Sequence, residues 1–165
     1  MGSRKGIGVT IAILVGVVAA SFLVYLIPED TTMKITVSDF GKHLDITKER
    51  ASMEITGVDE SFEKLMKSKK NSDEYIRIAE ISSLQINSLI IELTNSGATQ
   101  EWTESYANYI HSLKKLNEMI TETIVVANLI DSDDNSDSIN EIIAKIHQLK
   151  IEALDLTEKS DAARP

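Results

Sequence analysis

Between Asp131 and Asp137 the chain reads Asp-Ser-Asp-Asp-Asn-Ser-Asp, so Asp131, Asp133, Asn135 and Asp137 bring side-chain oxygens to alternate positions. Calcium is held by a cage of oxygens, and this spacing supplies the first half of such a loop. The second half lacks its two constraints. Ser136 stands where the sharp turn needs Gly, and Ile142 stands where a bidentate Glu would complete the cage. The expectation is a weak site at most, in a solvated connection between helices. His43, His111 and His147 fall on three different segments, and none follows a Glu by three residues, as di-iron carboxylate bundles require. There is no His-Glu-x-x-His zinc motif, no Gly-x-Ser-x-Gly elbow and no phosphate-binding glycine loop. The residues point away from an enzyme and from any bound cofactor.

Trp102, Tyr106 and Tyr109 could line a ligand pocket, but they also lie on a heptad seam, which makes them core residues first. Lys64, Lys67, Lys69 and Lys70 form the one basic cluster, which reads as a solvated loop or a contact to anionic headgroups. The chain has 165 residues, 26 acidic and 17 basic. All the acidic residues follow Pro28 while Arg4 and Lys5 precede it, so residues 28–165 carry 15 basic against 26 acidic side chains, a net −11. That excludes a nucleic-acid-binding surface. Cysteine is absent, so the fold rests on packing without disulfides or thiolate-bound metal.

The elements that must position these residues begin with Ile7 to Ile27, an uncharged run. At about 1.5 Å per residue it spans roughly 30 Å, the hydrocarbon thickness of a bilayer. Arg4 and Lys5 before it, and Glu29 and Asp30 after it, predict a cytoplasmic N-terminus and an extracytoplasmic C-terminal domain in the cell membrane. Gly8, Ala12, Gly16 and Ala20 recur every fourth residue on one face, where another transmembrane helix, from a partner or a second copy, could approach closely.

Residues 28–70 read as a membrane-proximal segment with a helix from about Ser38 to Ile55, interrupted at Gly57. Residues 71–160 read as a helical bundle core. From an expected N-cap at Ser72, positions 75, 79, 82, 86, 89 and 93 carry a four-three stripe, and Ile81, Leu84 and Ile91 add a second one that predicts burial on two sides. From Thr99, positions 102, 106, 109, 113, 116, 120, 123, 127 and 130 form a longer seam. Ser138 and Glu141 fit a capping box for a last helix, in which Ile139, Ile142, Ile146, Leu149, Ala153 and Leu156 repeat the spacing, and 161–165 read as a frayed tail. The expected fold is all-α: one N-terminal transmembrane helix (7–27) after a short basic segment (1–6), then an antiparallel up-down bundle of three to four helices.

Arg4-Lys5-Gly6 followed by an apolar helix resembles the class III signals of type IV pilin-like proteins, which implies cleavage after Gly6 and a surface-subunit role. A helical bundle that follows a first membrane helix also resembles the periplasmic sensor domains of chemoreceptors, which implies a sensory or ligand-binding module acting through a partner. The first expectation remains a membrane-anchored interaction module, an accessory subunit of a membrane complex or an envelope component.

The apolar run continues through Phe22, Leu23, Val24, Tyr25, Leu26 and Ile27, past any small-residue cleavage site at Val18-Ala19-Ala20. The mature chain is therefore expected to retain residues 1–27, which intact-mass measurement checks. A start at Ile7 would establish the pilin-like route, and a start at Ser21 a secreted protein.

Overall fold

The computed structural model describes residues 37–67, 71–131 and 136–165, all within the unit Lys34–Pro165. The membrane helix expected over residues 7–27, with Gly8, Ala12, Gly16 and Ala20, lies outside the described residues. Among the described residues no helix is long and apolar enough to cross a membrane. They form four helices and no strand: α1 (Phe40–Met66), α2 (Ser72–Thr94), α3 (Thr103–Asp131) and α4 (Ser136–Ala162).

Local side-chain chemistry sets the helix starts. Asp39 caps α1 by accepting from the Lys42 backbone N–H at 2.9 Å. Asn71, not Ser72, caps α2, accepting from the Asp73 N–H at 2.8 Å, with Asp73 and Glu74 in the first turn against the helix dipole. At α3 the Thr99 carbonyl accepts from the Trp102 N–H, and the helix proper begins four residues after Thr99, at Thr103. Helix α4 starts at Ser136, ahead of the expected capping box, so Ser138 lies inside it. Gly97, at φ +65, takes the left-handed conformation that turns the chain out of α2.

The predicted interruption at Gly57 does not occur: α1 runs unbroken through it. The reason is the stripe of Leu44, Ala51, Val58 and Leu65, all buried and seven residues apart. Burying such side chains contributes about 1.5–3 kcal/mol each for the larger ones, against about 1 kcal/mol for a helical glycine.

The helices alternate in direction. Glu54 accepts from Ser82 across α1 and α2, Ser83 donates to Asn117 across α2 and α3, and Ser105 donates to the Ser160 carbonyl across α3 and α4. The expected seams are in place: Tyr75, Ala79, Ser82, Ile86, Leu89 and Leu93 of α2 are buried, as are Tyr106, Tyr109, Leu113, Ile120, Thr123 and Ala127 of α3.

The helix buried on two sides is α3, not α2. Its second seam, Ser105, Ser112, Met119 and Val126, is fully buried against α4. Ser105 bonds the Ser160 carbonyl at 2.7 Å, and Ser112 bonds the Ala153 carbonyl at 2.8 Å and Thr157 Oγ1 at 2.9 Å. Seven residues forward on α3 thus match seven back on α4, a register that sets Met119 opposite Ile146 and Val126 opposite Ile139. In α2 the second stripe faces solvent instead: Ile81 is 59% exposed, Leu84 66% and Ile91 48%.

At Gly57 a methyl group would meet nothing within 4 Å. Gly57→Ala should therefore raise stability by about 0.5–1 kcal/mol, seen as a higher urea midpoint at unchanged slope. A lower midpoint would show that α1 bends there in solution.

Candidate functional site

The strongest cluster of chemistry-bearing side chains lies at the end of the bundle where α1 begins. Gly41, in the first turn of α1, leaves room for Trp102, whose ring edge lies 3.2 Å from where a Cβ would stand. Trp102, Phe40 and Tyr106 pack ring on ring, with centroids 5.9 to 6.4 Å apart. Beneath them the His43 ring lies 6.0 Å from Tyr106, with Nδ1 2.9 Å from the Tyr106 hydroxyl and Nε2 2.9 Å from Glu92 Oε1. Arg50 Nη1 donates to the other Glu92 oxygen at 2.8 Å.

The Tyr106 hydroxyl donates to the Phe40 carbonyl at 3.0 Å and shares a hydrogen bond with His43 Nδ1, while Nε2 faces Glu92 Oε1. Burial, with the negative charge of Asp39 adding to it, pushes the Tyr106 hydroxyl up to about 12, so it stays protonated. For Glu92, burial raises the carboxyl, but the hydrogen bonds and positive charge of Arg50 and His43 outweigh it and hold the group below its ordinary value of 4.5. The cluster joins α1, α2 and α3 through groups that are already partnered, so its evident chemistry is that of a polar clamp.

A second feature lies between α1 and α4. No Cα of α1 comes within 8 Å of one in α4, and long charged side chains bridge the gap. Asp45 pairs with Arg164 at 2.6 Å, Lys48 with Asp161 at 2.6 Å and Asp59 with Lys150 at 2.7 Å, each step forward on α1 matched by a step back on α4. The Arg164 hydrogen bond, opposed by slight burial, keeps Asp45 below its ordinary 3.8. The C-terminus, expected to fray, is thus tied down: Ser160 is buried, and Arg164 also meets Asp161 at 3.0 Å. Behind the ion pairs runs a groove of about 240 Å³ with Ile55, Leu116, Ala153 and Leu154 as its apolar lining.

The other expected sites are placed as follows. Asp131 ends α3 and Asp137 stands in the first turn of α4, both exposed, while Asp133 and Asn135 lie outside the described residues. Among the described residues no three metal-ligating side chains gather. Tyr106 and Tyr109 are core, Trp102 covers one end, and Lys64 and Lys67 close α1. His111 and His147 are exposed, whereas His43 is half-buried. Folding the chain back at the polar break 67–71 sets His43 opposite the last turn of α2, the one signal that could have paired it with Glu92. No family model, no curated protein and no solved structure matches the chain.

Because the Glu92 carboxyl is held low, its contribution to stability is complete above about pH 4.5 and lost as pH falls through its folded value. Glu92→Gln should cost about 1 kcal/mol at pH 7 and flatten the decline in urea midpoint between about pH 5 and pH 3. The other lowered carboxyls, Asp45 and Glu152, titrate in both proteins. Parallel pH curves would show that Glu92 is not the group responsible.

Proposed function

We propose that this chain is a membrane-anchored, non-catalytic helical interaction module, an accessory subunit of a membrane complex or an envelope component. The observation that carries the reading is the pairing of an uncharged 21-residue run, Ile7 to Ile27, with an acidic bundle that turns aliphatic side chains outward. The run is long enough for a bilayer, and its flanking charges orient the bundle extracytoplasmically. Inside the bundle the polar groups are spent on one another. Tyr75 donates to Thr123 Oγ1 at 2.5 Å, Ser82 donates to Glu54, and Ser105 and Ser112 donate to backbone carbonyls of α4. Recognition then belongs to the surfaces: the small-residue stripe of the anchor and the outer faces of the helices.

The α1/α4 groove favours a second reading, an extracytoplasmic sensory module. An apolar ligand seated on Ile55, Leu116 and Ala153 would compete with the Asp59–Lys150 bridge and move α1 against α4.

Helix association in lipid depends on close backbone approach, so a branched side chain in the centre of the stripe should abolish it. Gly16→Ile is expected to lose the proteins that co-purify with the wild type in mild detergent, with the thermal melt of the bundle unchanged. Recovery of the same proteins by the variant would move recognition to the bundle.

A further inference from the structure

Large aliphatic side chains are exposed on three helices, but their surroundings differ. On α1, Ile46 and Met53 alternate with Glu49 and Glu60. On α4, Ile151 and Leu154 stand among Glu152, Asp155 and Glu158. On α2 the exposed positions 81, 84, 85, 88, 91 and 94 are Ile, Leu, Gln, Ser, Ile and Thr, with no acidic residue among them. The one carboxylate in that stretch, Glu92, is turned toward α1 and held by His43 and Arg50. In a chain with 26 acidic residues this is a charge-free strip, bordered at its start by Arg77 and Glu80.

Arg77, Ile81, Leu84, Ser88 and Ile91 also keep the alternating four-three spacing of a coiled-coil seam. We infer that this outer face of α2 is a homotypic contact, packing against the same face of a second copy. Two bodies each carrying −11 repel, and they can approach only where the facing surfaces lack carboxylates. An isologous pair meets that condition with one surface, because each copy brings the same neutral strip.

The size of the strip sets where the contact forms. From Ile81 to Thr94 it is about 20 Å long and about 10 Å wide, well short of the roughly 1,200 Å² that stable complexes in solution bury. Two copies held in one bilayer are already confined to a plane and oriented alike, which favours a contact too small to persist in solution. The inference therefore rests on the anchored reading.

The natural absence of cysteine gives a clean test. Full-length protein carrying Ser88→Cys, at the centre of the strip, is reconstituted in phosphatidylcholine vesicles, floated on a density gradient and oxidised with copper phenanthroline. Ile151→Cys on α4 and Glu60→Cys on α1 serve as rival faces. The expected result is at least fivefold more disulfide dimer from Ser88→Cys than from either rival, lost on adding Leu84→Glu while circular dichroism keeps its helical signal. Equal yields at the three positions, a preference for Ile151→Cys, or an introduced thiol at position 88 shielded from maleimide in the monomer by another part of the chain would overturn the α2 contact alone. Failure of the protein to float would overturn the anchored reading and this inference together.

Discussion

Helix α3 has two seams to bury, and the small residues of one of them govern where every other helix can go. Ser105, Ser112, Ala153 and Ser160 have almost no side chain to keep apart, so α4 settles close enough for hydroxyls to reach backbone carbonyls directly. Each such bond satisfies a polar group that burial would otherwise penalise. Large residues, Met119 and Val126, then take over along the same seam toward the other end. The adjoining face of α3 carries Tyr106, Tyr109, Leu113 and Ile120, which need α1 and α2. With α1 drawn into the angle between α2 and α3, and α4 held tightly on α3, the space between α1 and α4 stays open. Ion pairs of lysine and arginine span it because only long side chains reach.

That asymmetry decides which part of the bundle is stiff. The exposed Lys48–Asp161, Asp59–Lys150 and Asp45–Arg164 pairs sit in high dielectric, where such bridges are worth about 0–1 kcal/mol each and weaken with salt. Apolar packing and shared polar partners hold α1 to α2 and α3 instead: Leu44, Ala51, Val58 and Leu65 in the core, His43 and Arg50 on Glu92, and Glu54 on Ser82. The α1/α4 seam, bridged by screened ions rather than packed side chains, is accordingly the first place for local opening.

The legibility of the fold follows the same division. The seams of α2 and α3 stand out in the sequence because bulky apolar side chains recur at four-three spacing, and the structure buries them. Of the α3–α4 seam only the α4 side is legible, where Ile146, Leu149 and Ala153 repeat the spacing and are buried; on α3 close approach selects Ser105 and Ser112, which a hydropathy pattern scores as surface. The Ile81, Leu84 and Ile91 stripe misleads in the opposite sense: its spacing is that of a buried face, yet none of the described helices covers it. Gly57 misleads because propensity is a local quantity and the stripe it interrupts is not. The His43 clamp needs residues from three helices: the fold-back between α1 and α2 could have paired His43 with Glu92, but no sequence spacing brings Tyr106 to them.

Exposed aliphatic residues in a heptad carry different information from buried ones, because nothing within the bundle rewards keeping them. Polar residues at positions 81, 84 and 91 would leave the core untouched and make an acidic domain more soluble. The clamp bears on the same helix: by engaging Glu92 it removes from the outer face of α2 the one carboxylate placed to spoil it, and it does so from α1, the helix that follows the apolar N-terminal run in sequence.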